Sequence, residues 1–307
     1  MLWVILAFIS AALLGFYDVF KKESLKSNAV VPVLFLNTLF SSLIFIPFII
    51  MSRQGDLIDS ASPFYCSDWN WQEQRYVLLK SCIVLSSWLL AYFGIKHLPL
   101  TIVGPINATR PVMVLVGAML IFAEHLNLWQ WAGVLLALLG IELLKHTSKK
   151  EGINWWRDKW IYFVILSNVL GAISGLYDKY LMAPVENGGV GLNKMAVQAW
   201  YNIYQFWMML AMLLILWLPV RNKYTPFHWS WFIPLISIFL SAADFVYFYA
   251  LGMEGAMISV VSMVRRGSVI VSFLCGAMIF KEKNLRAKAV ELMLVILSMI
   301  LLFVGSR

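Results

Sequence analysis

Ser259–Ser268 reads SVVSMVRRGS, and this polar interruption of a long apolar run decides the fold of the chain. Its counterpart in the first half is Asn107–Pro111, NATRP. Arg110 in one, and Arg265 with Arg266 in the other, lie near the middle of runs long enough to cross a bilayer. A charge at that depth costs at least about 2.5–3.5 kcal/mol and usually faces a protein interior or a water-filled cavity. Two such interruptions predict one site built from two halves.

The composition identifies a membrane protein. Of 307 residues, 61% are hydrophobic and 13% are charged, whereas a soluble domain has about 45–50% and about 25%. The apolar surface of such a chain is suited to lipid rather than to a core surrounded by water. Its formal net charge of +8 therefore bears on how the chain is oriented in the membrane. The sequence contains no soluble basic domain that would indicate binding of nucleic acid.

Apolar runs of about 20 residues are long enough to form spanning helices. They predict ten transmembrane helices, at approximately 2–20, 29–51, 76–95, 99–122, 127–145, 159–182, 195–220, 229–251, 255–280 and 285–304. The connection 52–75 predicts an exposed polar loop. The first run lacks the basic opening and the cleavage site of a secretory signal, so we expect it to be retained as a helix.

A charged linker at 147–158 divides these runs into five and five. Region 1–146 and region 159–307 are therefore predicted to be two five-helix repeats. Matching motifs support the repeat: Gly15-Phe16-Tyr17-Asp18 with Gly175-Leu176-Tyr177-Asp178, Asn37 with Asn202, Tyr92 with Tyr249, and Gly117-Ala118-Met119 with Gly276-Ala277-Met278. An odd number of helices per half inserts the halves in opposite directions. The predicted fold class is an all-α integral membrane protein of two inverted repeats, with a substrate site near the midplane.

This layout resembles the EamA-like ten-helix family of the drug/metabolite transporter superfamily over essentially the whole chain. The resemblance is carried by the Gly-x-Tyr-Asp motifs, by the polar breaks in the fourth and ninth runs, and by Glu124 and Glu282. It implies a ten-helix basket, alternating access, and export or import of a small metabolite, often an amino acid or a related compound.

The orientation of the chain is predicted differently by two signals. Connections after the odd-numbered runs contain 15 lysines and arginines, and the opposite side contains 4. The positive-inside rule then places both termini outside the cytoplasm. The family resemblance implies both termini inside.

Charged side chains within the runs are the leading functional candidates. Arg110, Arg266 and Arg265 are expected either to bind an anionic group of the substrate, since guanidinium forms a fork that suits carboxylate, or to pair permanently with a buried acid. Asp244, near the centre of the eighth run, is either a proton carrier or the partner of one of these arginines. Asp18 and Asp178 are expected to form interfacial ion pairs with nearby lysines, or to gate the two ends of the pathway with Tyr17 and Tyr177.

Polar and aromatic residues on other runs are predicted to line the substrate site. They are Asn107, Asn202, Gln205, Tyr92, Tyr249, Trp88 and Ser87. In membranes, Ser and Asn more often hydrogen-bond a neighbouring helix than a ligand, and that alternative stays open for each. Asn202 and Gln205 share a helix face, because they are three residues apart.

Enzyme signatures are absent: the sequence contains no Gly-rich phosphate loop, no His-Glu-x-x-His and no Gly-x-Ser-x-Gly. We therefore predict that the protein is not an enzyme and uses no cofactor. Cys66, Cys82 and Cys275 are scattered and predict neither a metal site nor a disulfide framework. Without a nucleotide-binding segment, transport draws on an ion gradient or on the gradient of the substrate.

The sequence predicts a secondary active transporter of the inner or plasma membrane. It would move a small polar metabolite, such as an amino acid or another carboxylate, by alternating access, with the proton as the candidate coupling ion. Its expected partners are this substrate, membrane lipids and protons, but not nucleic acid, and it is expected to be a monomer or weak homodimer. A lipid flippase or accessory membrane subunit, and a membrane-embedded lipid-modifying enzyme, are the other classes left open.

Overall fold

The computed structural model describes residues 2–54, 58–68, 70–114, 127–149, 155, 157–182, 185–223, 225–251, 264–280 and 285–305. Helices dominate these ranges, which contain no β-strand. The helices are α1 (Leu2–Leu25), α2 (Val30–Arg53), α3 (Trp71–His97), α4 (Leu100–Ala108), α5 (Leu128–Lys149), α6 (Lys159–Met182), α7 (Lys194–Met212), α8 (Phe232–Leu251), α9 (Ser268–Met278) and α10 (Leu285–Gly305). The prediction of an all-helical protein is confirmed. Glu124 and Glu282 and much of the interruption at 259–268 lie outside the described residues.

Six of the described segments are long and apolar enough to cross a membrane. They are Leu2–Leu25, Val30–Arg53, Trp71–His97, Lys159–Met182, Lys194–Arg221 and Lys288–Gly305. Shorter apolar helical stretches run over Trp131–Gly140 and Phe232–Tyr247. The protein is therefore multi-pass. Their lipid-facing surfaces present large apolar side chains, including Phe8, Leu135 and Trp207, each more than half exposed.

Helix ends differ from the predicted ends where polar residues take part in helices. Helix α3 begins at Trp71, within the predicted loop, because Asn70 accepts a hydrogen bond from the backbone N–H of Gln72 and caps the helix. Helix α5 continues to Lys149, so the predicted linker at 147–158 begins as helix. Beyond Met212, α7 widens into a π-helix and then a 3-10 helix. Pro219 lies in this last segment, and it cannot donate the backbone bond that a regular helix needs.

Helices pack mainly across the two predicted halves rather than within them. The most extensive contacts join α1 to α8, α5 to α10, α3 to α6, and α2 to α7. The largest buried core accordingly contains residues of both halves, such as Tyr17, Leu34, Tyr92, Ile161 and Ile236. Region 1–146 and region 159–307 therefore interleave and share one core.

Each of these four helix pairs is joined by a serine hydroxyl that donates to a backbone carbonyl of the partner helix. The donors and acceptors are Ser10 to Ala243 (2.7 Å), Ser298 to Gly133 (2.7 Å), Ser87 to Ser167 (2.8 Å), and Ser42 to Asn202 (2.9 Å). Lipid provides no hydrophobic force between helices, so close packing and such hydrogen bonds stabilise their association. Ser87 thus has a helix-pairing bond, as does the backbone of Asn202.

The connections at the end of the bundle where α1 ends are bonded to one another. Lys22 donates from Nζ to the carbonyls of Ile95 and Leu98, both at 2.6 Å, and so caps the C-terminus of α3. Asn28 and His228 form two reciprocal hydrogen bonds between a side-chain amide and the backbone. Lys22 therefore connects the end of α1 to the end of α3.

The repeated glycines Gly15 and Gly175 have different surroundings. A Cβ on Gly15 would lie 2.4 Å from Cβ of Val271 and 2.9 Å from the backbone oxygen of Ser268, both beside α1. A Cβ on Gly175 would meet nothing within 4 Å. Close approach of α1 to α9 therefore requires glycine at position 15, whereas α6 does not require it at 175.

We predict that Gly15→Ala lowers the stability of the purified protein by about 1–3 kcal/mol, as overpacking does. Gly175→Ala is the matched control and should be neutral or slightly stabilising, since alanine favours helix by up to about 1 kcal/mol. Thermal unfolding of the two variants in the same detergent measures the difference. Equal melting temperatures for both variants would contradict the tight α1–α9 contact.

Candidate functional site

The helical segments that carry Arg110, Arg265 and Arg266 are each interrupted next to these arginines. Helix α4 ends at Ala108, Thr109 forms a turn, and a short helix resumes at Arg110. Residues 264–266 are helical, Gly267 forms a turn, and α9 begins at Ser268. In α4 the break is explained by Pro111, which lacks the N–H of a regular helix and whose ring crowds the carbonyl four residues earlier.

The two breaks adjoin in space. Ala108, at the end of α4, packs in one buried cluster with Val269 and Phe273 from the first turns of α9. Helix α4 approaches α9 closely, and a Cβ on Gly104 would lie 3.1 Å from Val269. The arginines next to these two breaks therefore come into one region of the bundle.

Arg110 is held by Asn168 of α6. Its Nε and Nη2 atoms donate to Oδ1 of Asn168, at 3.2 and 3.0 Å. The amide of Asn168 in turn donates to the carbonyl of Ile106 at 3.0 Å, beside the α4 break. Arg110 makes no salt bridge to a described residue and keeps part of its surface accessible. A neutral amide thus orients this guanidinium within the bundle.

Gly171, one turn after Asn168 on α6, provides room for the same guanidinium. A Cβ at this position would lie 2.5 Å from Cζ of Arg110 and 2.7–2.8 Å from its two terminal nitrogens. Any larger residue would therefore displace the head of Arg110. Asn168 and Gly171 together fix where this positive charge lies.

Arg266 lies within electrostatic range of Arg110, Arg265 and Asp18. It is half-buried, and it forms no salt bridge or hydrogen bond with a described residue. Two guanidiniums, those of Arg110 and Arg266, are therefore near each other without a paired carboxylate. This arrangement attracts an anion.

Arg265 differs from its neighbour because it is paired. It forms an ion pair with Asp244 of α8, and its guanidinium lies 4.3 Å from the ring centroid of Tyr247. The other carboxylate oxygen of Asp244 accepts a hydrogen bond from the hydroxyl of Tyr201, at 3.1 Å. Asp244 is therefore the ion-pair partner of an arginine, which was one of its two predicted roles. Its other predicted role, as a proton carrier, stays a prediction.

A second ion pair joins α3 to α6, between Lys80 and Asp178. The Lys80 ammonium also lies 5.1 Å from the ring centroid of Tyr201. Tyr201 thus contacts Lys80 through its ring and Asp244 through its hydroxyl. A chain of polar contacts runs from Asp178 through Lys80, Tyr201 and Asp244 to Arg265.

The third ion pair lies within α1, where Asp18 and Lys21 are 2.8 Å apart. The Lys21 ammonium is 4.2 Å from the ring centroid of Tyr17 and 5.3 Å from that of Tyr92, and all three side chains are buried. Ser272 of α9 donates to Asp18 at 3.4 Å. Asp18 thus has the lysine neighbour that the sequence predicted. Asp178 pairs with Lys80, a lysine that is distant in sequence.

Within the described part of the chain, the hydrogen bonds and ring contacts of the other predicted site residues do not include Arg110 or Arg266. Asn202 donates to the carbonyl of Gln198 on its own helix, and Gln205 is fully buried with neither amide atom hydrogen-bonded. Tyr177 donates to the carbonyl of Tyr76 at 3.3 Å. Tyr249 is 43% exposed and stacks on Phe245.

Two further lining candidates have intermediate positions. Trp88 is partly buried against the main core. Asn107 is half-buried and lies in the last turn of α4, three residues before Arg110. Asn107 is thus close to Arg110 in sequence, and Tyr92 contacts the ammonium of Lys21 through its ring.

Sequence reasoning missed three residues that organise this site: Lys80, Asn168 and Tyr201. Lys80 is a charge inside the third apolar run, and that alone was a signal. Asn168 is a similar but weaker signal, an amide near the middle of the sixth run. Nothing in the sequence distinguishes Tyr201 from the chain's other tyrosines.

The described residues contain no group of three metal-ligating side chains. Cys66, Cys82 and Cys275 are free thiols. Burial raises the pKa of the Cys66 thiol, in the connection after α2, to about 11, which keeps it protonated at neutral pH. These cysteines therefore offer no thiolate pair to a metal.

Comparison with known proteins gives one family and one fold. The model of the family described as EamA, EamA-like transporter family, matches residues 1–145. A solved structure titled "Crystal structure of protein" is similar over 100% of this chain and 97% of its own, with a TM-score of 0.60 and 12% identity. At that identity the likeness concerns the fold alone. No curated protein matches.

We predict that Lys80→Met lowers stability by about 1–3 kcal/mol, because it leaves Asp178 without its cation. The double variant Lys80→Met/Asp178→Asn should recover part of this loss, since neither charge is then unpaired. Lys26→Met, at an exposed lysine 4.0 Å from Glu23, is the control and should change little. Thermal unfolding of the wild type, of Lys80→Met, Asp178→Asn and the double variant, and of the control tests the pair, and additive effects of the two single substitutions would contradict it.

Proposed function

We propose that this chain, whose residues 1–145 belong to the EamA-like transporter family, moves a small metabolite bearing a carboxylate or similar anionic group across the membrane by alternating access. The family match implies a membrane transporter of the drug/metabolite type. The observation that supports an anionic substrate is the pair Arg110 and Arg266, which lie close together inside the bundle without a carboxylate partner.

The pattern of helix pairing supports an inverted repeat. If each helix is exchanged with the one five later, the α1–α8 contact becomes the α6–α3 contact. The contacts α2–α7, α4–α9 and α5–α10 are each exchanged into themselves. A two-fold relation between the halves would produce this set of pairs. Rocking of α4 and α9 at their breaks, next to the arginines, would then expose the site to each side in turn.

We propose that transport is coupled to protons through Asp244, and the position of this residue supports the proposal. While Asp244 is ionised, it neutralises Arg265 through their ion pair. Protonation would remove that neutralisation and release a third guanidinium beside Arg110 and Arg266. Binding of a proton would thus favour binding of an anion, and the reverse holds by thermodynamic linkage. We propose that the substrate and the proton move in the same direction.

Gating and membrane placement complete the proposal. Asp18 lies towards the end of α1 and Asp178 towards the end of α6. We propose that the Asp18–Lys21 and Asp178–Lys80 pairs close the two ends of the pathway. We propose that the protein is located in the inner or plasma membrane. The bonded end of the bundle, which carries the excess of lysine and arginine, is proposed to face the cytoplasm.

The inward direction of Arg110 favours a soluble substrate over a lipid. A flippase would need the arginines beside a lipid-facing slit, whereas Arg110 reaches across to Asn168 on α6. A lipid-modifying enzyme would need its polar cluster at one interface, whereas the arginines lie next to breaks within the apolar runs. A thermal-shift screen against organic acids, amino acids, nucleosides and sugars gives a first test, because a bound substrate stabilises the folded state.

We predict that Arg110→Gln and Arg266→Gln each raise the KM for the transported anion about 10- to 100-fold, as expected for loss of one charge-assisted hydrogen bond. Gly171→Ala should act in the same direction by displacing Arg110, and Gly175→Ala, one turn later, should not. Arg221→Gln, at an exposed arginine, is the control for charge alone. Uptake into proteoliposomes measures these constants, and normal kinetics in both Gln variants would eliminate the anion site.

We predict that Asp244→Asn abolishes the stimulation of uptake by an inward proton gradient while preserving exchange of substrate at equal pH on both sides. Wild-type uptake should increase as the pH on the entry side falls, because protonation frees Arg265. Tyr201→Phe removes one hydrogen bond to the same carboxylate and should shift this pH profile without abolishing it. An unchanged profile in Asp244→Asn would exclude Asp244 as the proton carrier.

A further inference from the structure

The charges around the arginines do not cancel. The arginines Arg110, Arg265 and Arg266 lie within electrostatic range of the carboxylates Asp18 and Asp244. Asp18 already has Lys21, and Asp244 already has Arg265. The guanidiniums of Arg110 and Arg266 therefore leave two positive charges uncompensated among the described residues of this region.

Asn168 preserves one of these charges. An aspartate in its place would accept the same two bonds from Arg110, at 3.0–3.2 Å, and would neutralise it. Asparagine accepts the bonds and donates its amide to the Ile106 carbonyl, which an ionised carboxylate cannot do. The residue type therefore orients Arg110 while leaving its positive charge available to a ligand.

We propose that the central site binds a small dianion, a metabolite with two negative charges such as a dicarboxylate or a phosphate monoester. This proposal rests on the proposed function and names its substrate class. A zwitterionic amino acid fits this site poorly, because the nearby carboxylates Asp18 and Asp244 are already paired and its ammonium group would face arginines. Asn168 is the positioning residue that sets this preference.

Matched probes test the charge of the substrate. Thermal stabilisation of the full-length protein at pH 7.5 would be titrated with succinate, monomethyl succinate, aspartate and glycerol 3-phosphate. A dianion should bind about 10- to 100-fold more tightly than monomethyl succinate or aspartate, since one added charge-assisted bond has that effect. The succinate and glycerol 3-phosphate titrations distinguish a dicarboxylate from a phosphate monoester.

Asn168→Asp gives the sharpest variant. It should pair with Arg110, reduce the uncompensated charge from two to one, and remove the preference for dianions. Arg266→Gln reduces the charge by the same amount without adding a carboxylate, and should have the same effect if Asn168→Asp does not fold. Asn168→Ala is the control, because it removes the bonds to Arg110 but leaves the positive charge of Arg110 uncompensated. It should weaken the binding of all anions while the preference for dianions remains.

Each failure has its own signature. If monomethyl succinate or aspartate binds as tightly as both dianions, or if neither dianion stabilises the protein, the dianion assignment is wrong. Should Arg110→Gln weaken all anions equally, the anion site would stand while the dianion assignment fell. No effect of Arg110→Gln on any anion would instead remove the proposed function itself.

Discussion

Burying a charge in a membrane is costly, and this constraint organises the structure. Three carboxylates along the interior, Asp18, Asp178 and Asp244, each have a cation within contact. Such pairing lowers the cost of desolvation, although a buried pair seldom adds much stability. Arg110 and Arg266 lack this compensation among the described residues. The proposed anionic substrate would supply this compensation, because two guanidiniums without a counter-charge in a protein interior are otherwise unfavourable.

Helix association in the bundle uses the same limited set of polar groups. A serine hydroxyl joins each main helix pair to a backbone carbonyl, and each pair draws one helix from each predicted half. These bonds hold neighbouring helices without placing charge between them. The chain of polar contacts from Asp178 to Arg265, by contrast, connects α6, α3, α7 and α8 to the segment 264–266. The proposed role of Asp244 rests on these contacts, which connect it to several helices.

The sequence predicts the helices well because hydrophobic length is a direct physical requirement of the bilayer. Helix α6 has the predicted bounds, 159–182, and α2 and α10 begin or end within two residues of theirs. The broken fourth and ninth segments were also visible, since arginine, proline and glycine there oppose a regular apolar helix. Ends set by polar caps were not, as Asn70 before α3 shows.

Pairing between distant residues could not be predicted in the same way. Asp178 contacts Lys80, 98 residues away, because the packing of α3 on α6 brings the two together. The repeated Gly15 and Gly175 look equivalent in sequence but differ in their neighbours. Tyr92 and Tyr249, matched in the same way, are respectively fully buried and 43% exposed. Matching sequence motifs therefore do not predict matching contacts, because contacts depend on the packing of the whole bundle.

The account depends most on Arg110 and Arg266 sharing one chamber. A chain with Cys66, Cys82 and Cys275 replaced by alanine would carry Arg110→Cys, Arg266→Cys and a protease site within 147–158. A short bifunctional methanethiosulfonate would be applied in native membranes before cleavage. We predict that the two halves remain covalently joined in the double variant and separate in each single variant. Separation of the halves in the double variant, with both thiols present, would contradict a shared site.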